Sequence, residues 1–204
     1  MIPQTFIFIG RYGSGKGTQA KLLIETLKKL DPARKSIYIE TGAEFRKFTA
    51  RKSNHTAEMT KKVIDAGGLM PEFMPIHLWS NLLVEHYSGD EHLVFDGTPR
   101  KMLEAQILDP VFSFYSMEEK PWVLFLSLSH EESSKRLVLR SVKSGRADDS
   151  KEAIEKRKKA FEADVDPVIE WYRTNPNVSF MEVDGGRPIE VVHEDIVKKV
   201  GLKK

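Results

Sequence analysis

Thr5-Phe-Ile-Phe-Ile9 runs directly into Gly10-Arg-Tyr-Gly-Ser-Gly-Lys-Gly-Thr-Gln19, and Lys21-Leu-Leu-Ile-Glu-Thr-Leu27 follows. An apolar run, a glycine-rich loop and a helical pattern in that order describe a buried strand, a tight turn and a helix N-terminus, which together make a phosphate cradle. Glycines let the backbone come close to phosphate oxygens, while the unpaired N–H groups and the positive end of the helix dipole attract the anion. Lys16 adds a point charge for the outer phosphates. Gly13, Ser14, Gly15, Lys16, Gly17 and Thr18 are thus the candidate triphosphate-binding residues. A strict Walker A loop has Ser or Thr straight after the lysine; here Gly17 stands there and the hydroxyl comes one place later, at Thr18.

Outward from this loop, β-branched or aromatic runs recur at residues 5–9, 36–40, 91–96, 122–128 and 178–183, separated by helix-like stretches. The alternation predicts an α/β, three-layer P-loop fold, a roughly five-stranded parallel sheet flanked by helices. Near-continuous apolarity at Phe6–Ile9 and Val123–Leu126 marks these as central strands, buried on both faces. Ser129 with Glu132 and Asp149 with Glu152 read as capping boxes, and Pro188 suits the first position of a C-terminal helix running toward Val200. Ligands of such sheets sit at the carboxyl ends of the strands, which is where the loop lies. Two segments exceed the minimal pattern: residues 41–86, helix-like pieces broken by Gly67-Gly68 and Pro71, and residues 140–150, polar and glycine-containing. They are read as a helical insert and a short lid over the crevice of one domain, whose core is 1–40, 87–139 and 151–204.

Composition narrows the classes. The 204 residues suffice for one well-packed domain, and 40% hydrophobic against 30% charged residues is ordinary for a globular chain. No apolar run approaches the roughly 18 residues of a membrane span, and no leader pattern is visible. With no cysteine, disulfides and thiolate metal sites are excluded, and a cytoplasmic location is expected. A net charge of +2 gives no reason to expect nucleic-acid or membrane partners.

Asp96 ends the third apolar run and opens Asp96-Gly-Thr-Pro-Arg100. A carboxylate at the end of a buried strand beside a phosphate loop can hold water on Mg²⁺; taken alone, it reads equally well as a turn or cap residue. Arg100 would enter the same crevice and suits bidentate contact with phosphate, the alternative being a surface ion pair. Arg136, Arg140, Arg146 and Arg157 cluster around the second insert. By themselves they would describe solvated helix faces. Phosphoryl transfer, however, needs alignment, water exclusion and charge stabilisation more than a general base, so arginines near this loop fit that chemistry. The six histidines are scattered without ligand-like spacing, and Trp79, Leu82 and Leu83 read as core.

These elements resemble the adenylate kinase group of nucleoside monophosphate kinases. Gly15-Lys-Gly-Thr-Gln19, Thr41-Gly42 with Arg46, Asp96-Gly-Thr-Pro-Arg100 and Ser144-Gly-Arg-Ala-Asp-Asp149 follow in family order across nearly the whole chain. The resemblance implies reversible, Mg²⁺-dependent transfer of the ATP γ-phosphoryl to a nucleoside monophosphate, AMP first, by a monomeric enzyme. It implies that Thr41, Gly42, Arg46, Leu69, Met70, Gly97, Arg100 and Glu104 surround the monophosphate. Arg136 and Arg187 would serve the donor nucleotide, and Arg140, Arg146 and Arg157 would clamp the migrating phosphoryl. The short lid lacks the hairpin of longer relatives, and without cysteine there is no basis for structural zinc.

Two positions depart from the family pattern. Tyr12 stands where a proline is usual. Glu104 stands where adenylate kinases carry a glutamine that reads adenine; an ionised glutamate only accepts hydrogen bonds, which leaves adenine N1 unmatched and suits guanine, whose N1–H and amino group both donate. A mismatch of this kind costs about 1–3 kcal/mol. Thr41 keeps the adenylate pattern, Gln106 could substitute by a local shift, and a solvent-facing Glu104 without a role is the bland alternative. A nucleotide-binding switch or assembly factor is a further reading, but no Asn-Lys-x-Asp base-reading element is present and a switch does not need arginines from two inserts.

Overall fold

The structure is a computed structural model that describes residues 1–144 and 151–202. Five strands, β1 (Thr5–Gly10), β2 (Ser36–Glu40), β3 (His92–Asp96), β4 (Trp122–Ser127) and β5 (Ser179–Asp184), form one parallel sheet in the order β2-β3-β1-β4-β5. Each falls within a residue or two of its expected run. β1 is central, pairing Phe6 with Val94 of β3 and Phe8 with Leu124 of β4.

Alternation along β1 explains the three layers. Phe6 and Phe8 point to one face, joining Leu23 and Leu27 of α1 (Lys16–Leu30) and Val192 and Ile196 of α9 (Ile189–Lys199). Ile7 and Ile9 point to the other, where Leu108 and Phe112 of α5 (Met102–Phe114), Trp79 and Leu83 of α4 (Phe73–His86), and Ile169 and Tyr172 of α8 (Asp166–Thr174) cover them. Trp79 and Leu83 are core, as their spacing implies. Both faces of β1 are thus dry, and Phe6–Ile9 are apolar without a break.

Between β2 and β3 the chain makes α2 (Thr41–Arg51), α3 (His55–Asp65) and α4, and after β4 it makes α6 (His130–Ser144) and α7 (Lys151–Ala160), followed by a π-helical turn at Phe161–Val165. At the start of α6 the Glu132 N–H donates to Ser129 Oγ at 3.2 Å, the expected cap. Pro188 occupies the N-cap of α9, one position before the first helical residue expected for it; with φ −53° and ψ 146° it is extended and not helical. Asp149, expected to cap the next helix, lies outside the described residues, as does most of the expected lid. No helix among the described residues is long and apolar enough to cross a membrane.

Candidate active site

The carboxyl ends of β1 and β3 open into a cleft of about 410 Å³. The loop Arg11–Gly15 brings its backbone to the floor, and α1 begins at Lys16 with Gly15 in the left-handed region at φ 94°, so the first helical N–H groups are left for a ligand. Gly13, Gly15, Lys16, Gly17 and Thr18 line the cleft, whereas Ser14 lies beneath it with 1% of its surface exposed. Lys16 Nζ is folded back onto its own loop, donating to the carbonyls of Gly10 and Arg11 at 2.7 Å each. Burial drives its pKa down to about 8 against the pull of nearby Asp96, with Arg100 and Arg140 lowering it further.

Gly17 answers the displaced hydroxyl. A Cβ at this position would lie 3.0 Å from Asp96 Oδ2, so a serine or threonine here would crowd the carboxylate. Asp96 is nearly buried at the end of β3, and Oδ2 accepts the Tyr38 hydroxyl at 3.0 Å; burial and then the Asp96 charge push the Tyr38 phenol well above its ordinary pKa, so it remains a donor. Among the described residues no group of three or more His, Asp and Glu converges. The donor set therefore fits a hard, hydrated divalent cation held by one carboxylate, water and the phosphates of a ligand, as Mg²⁺ is commonly held, and does not fit an all-protein cage.

Arginines surround this floor. Arg46 of α2 lies 3.5 Å from Glu40, and Arg140 of α6 and Arg157 of α7 line the same cleft. Arg136 also lines it, its Nε 2.9 Å from Glu132 Oε1 and its Nη1 donating to the Gly185 carbonyl at 2.9 Å. Arg100 is fixed by three contacts: Nε donates to the Gly97 carbonyl at 2.6 Å, Nη1 donates to the Tyr12 hydroxyl at 2.6 Å, and its backbone N–H donates to Glu104 Oε2 at 3.0 Å. Gly97, at φ 80°, permits this fold-back, because a Cβ there would sit 2.6 Å from Arg100 Nη2.

An adjoining pocket is lined by Thr41, Gly42, Phe45, Leu69, Met70, Gly97, Arg100 and Glu104 among others. Every residue expected around the monophosphate is therefore in this pocket or in the cleft beside it. Thr41 donates to the Gly97 carbonyl at 2.9 Å, joining α2 to the β3 turn. Glu104 is 2% exposed, so it does not face solvent; Gln106 does. Burial raises the Glu104 pKa, opposed by hydrogen bonds to Oε2 from the Arg100 N–H and from the Thr98 hydroxyl, each at 3.0 Å, and by the charges of Arg100 and Lys101. A signal for its burial was in the spacing: Glu104, Leu108 and Phe112 recur every four residues on one face of α5. Arg187 does not line the cleft; its Nη2 lies 2.8 Å from Asp195 Oδ2 and its Nε donates to the Asp184 carbonyl at 3.2 Å. Arg146 lies outside the described residues. Glu40 and Tyr38 carried no sequence signal for their places at the site; Tyr12 is placed there by the phosphate loop, without a sign of its contacts with Arg100 and Arg157.

A phosphate loop, a strand-end carboxylate and converging arginines on a five-stranded parallel sheet define a P-loop phosphotransferase. The sequence model described as adenylate kinase matches residues 8–177, and the chain belongs to the adenylate kinase family. It is 29% identical over 194 residues to an adenylate kinase of Phocaeicola vulgatus, covering 95% of this chain and 96% of the relative. It is 31% identical over 185 residues to an adenylate kinase of a Cyanothece species, covering 89% and 87%. A uridylate kinase of Saccharomyces cerevisiae is 29% identical over 190 residues, covering 92% and 86%. The chain is a nucleoside monophosphate kinase and moves a phosphoryl group onto a nucleoside monophosphate.

Proposed function

We propose that this enzyme transfers the γ-phosphoryl of ATP to AMP, with Mg²⁺, giving two ADP reversibly, and that it does so as a cytoplasmic monomer. In this reading residues 41–86 form the acceptor-binding insert and 140–150 a lid. The phosphate loop and Lys16 hold the donor triphosphate, Arg46 and Arg100 hold the acceptor phosphate, and Arg140 and Arg157 balance charge on the group in transit. Asp96 would hold Mg²⁺ through water; the ion, when bound, neutralises phosphate charge and orients the donor. Because the acceptor phosphate is already ionised, no general base is required, and the work of the protein is alignment and exclusion of water.

The choice of AMP rests on the burial of Glu104. Oε2 already accepts two hydrogen bonds, so a proton on this carboxyl resides on Oε1, the oxygen left for a base. Protonated, Glu104 donates to adenine N1 much as a glutamine would; ionised, it only accepts, and guanine N1–H becomes the better match. Those same two bonds favour the ionised form, which supports GMP as the second reading. A raised pKa extends the protonated form to higher pH, so AMP use is strongest on the acid side and weakens as pH rises through the folded value. Over the pH range in which folded Glu104 loses its proton, above the ordinary carboxylate range, we expect KM for AMP to rise about tenfold in the wild type, and Glu104→Gln to remove that dependence. Rates with ATP and AMP, GMP, CMP, UMP or deoxynucleoside monophosphates across this range test it. GMP preferred over AMP at every pH, or UMP as the yeast relative's name would suggest, overturns the AMP assignment.

The Gly17 contact gives a separate test of the Asp96 role. Gly17→Ser forces the Asp96 carboxylate to shift, and the Mg²⁺ concentration for half-maximal rate is expected to rise about tenfold, the effect of moving a positioned charge group. An unchanged Mg²⁺ titration would remove Asp96 from the metal site.

A further inference from the structure

Tyr12 joins three segments of the chain that come from different parts of the sequence. Its carbonyl accepts the Ser133 hydroxyl of α6 at 2.8 Å, which fixes the phosphate loop against that helix. Its phenol oxygen accepts the Nη1–H of Arg100 at 2.6 Å, and the Arg100 Cζ lies 5.0 Å from the ring centroid. The Arg157 Cζ stands over the same ring at 4.4 Å. Arg100 enters from the turn after β3 and Arg157 from α7, so one aromatic ring contacts cations from both sides of the cleft.

Two guanidinium groups this close to one ring, with Lys16 lining the same cleft, repel each other while no phosphate is present. The negative face of the ring and the lone pair of the phenol oxygen offset part of that repulsion. They also remove rotamer freedom from two long side chains before a ligand arrives, a cost otherwise met at binding. A proline at this place supplies neither a π face nor an oxygen. We propose that Tyr12 is a positioning residue that sets Arg100 and Arg157 about the point through which the phosphoryl group passes. Its role rests on the reading of Arg100 and Arg157 given above, and adds to it the device by which this chain aligns them.

Steady-state kinetics on Tyr12→Phe, Tyr12→Pro, Arg100→Ala and the Tyr12→Phe/Arg100→Ala double variant test the proposal. Tyr12→Phe keeps the ring and loses the bond to Arg100, and kcat/KM for the monophosphate is expected to fall about tenfold, chiefly through KM, the size of one hydrogen bond to a charged group. Tyr12→Pro also removes the ring under Arg157, so kcat is expected to fall as well, by about tenfold. In the Arg100→Ala background Tyr12→Phe should cost less than about twofold, because the group it acts through is gone. A full tenfold loss in that background, or a Tyr12→Phe enzyme within twofold of wild type, overturns the proposal. If Tyr12→Pro does not fold, the Phe cycle decides alone. A wild type that phosphorylates no nucleoside monophosphate would instead sink the functional reading beneath it.

Discussion

Lys16→Ala is expected to lower kcat by about a thousandfold while leaving the fold intact, since removing one preorganised group that stabilises transition-state charge costs roughly 3–4 kcal/mol. The ammonium lies at the start of α1 beside the phosphate loop, and several neighbouring cations are already engaged: Arg100 is held at its Nε and Nη1, Arg136 is tied to Glu132 and the Gly185 carbonyl, and Arg46 lies 3.5 Å from Glu40. The fold survives because Lys16 contributes charge to the cleft and nothing to either core cluster. Its folded pKa, about 8, lies below the ordinary lysine value of 10.5, so the folded state disfavours the charged form. Below about pH 8 the group is charged in both states and destabilises the fold; between about 8 and 10.5 the folded protein holds fewer protons than the unfolded chain and the penalty fades. Lys16→Met should therefore melt at a higher temperature than wild type at pH 7, with the difference shrinking by pH 10. In the wild type, kcat/KM for ATP should decline above about pH 8 as the free enzyme loses this proton. Melting curves and initial rates at both pH values check the set. Turnover by Lys16→Ala within threefold of wild type would remove the lysine from the chemistry.

The features that made this site visible in the sequence are those governed by local backbone physics. The run Phe6–Ile9 announces a two-sided strand because nothing polar interrupts it, and the glycines after it announce a turn that only glycine makes well. Asp96 and Arg100 were legible as candidates because a strand end and a turn place them beside that loop. Tertiary pairing was not legible. The Tyr38 hydroxyl reaches Asp96 across the β2–β3 pair, and the Tyr12 ring meets Arg157 some 145 positions later, contacts for which no periodicity gives a sign. Arg187, expected at the donor nucleotide, makes a contact with Asp195 of α9 that is a further tertiary pairing the sequence does not show. Glu104 falls between the two cases. Its place on the apolar face of α5 follows from helical spacing, while the two donors that hold Oε2 come from the turn before it and are seen only in three dimensions.

Arg100→Ala is expected to lower kcat/KM for the acceptor by about two to three orders of magnitude, with both a raised KM and a lowered kcat, because a charge-assisted contact to a phosphoryl group in a water-poor site is worth several kcal/mol. Lysine should not rescue it. The guanidinium uses Nε on Gly97 and Nη1 on Tyr12 while keeping further N–H groups for phosphate, and an ammonium at the end of a flexible stem cannot span three acceptors in fixed directions. The bonds that hold Glu104 should survive, since they come from the Arg100 backbone N–H, which alanine retains, and from Thr98; losing the guanidinium charge favours the protonated carboxyl, so the two acceptors are compared at a pH where Glu104 is protonated in both enzymes. AMP and GMP should therefore lose rate by the same factor in Arg100→Ala, whereas Glu104→Gln should change their ratio and leave the better acceptor close to its wild-type rate. The opposing patterns separate phosphate binding from base selection on two side chains only four residues apart. Rates with both acceptors in both variants measure this. An Arg100→Ala enzyme whose AMP to GMP ratio moves more than about fivefold, the equivalent of roughly 1 kcal/mol, would show that Arg100 orients the base pocket as well as the phosphate.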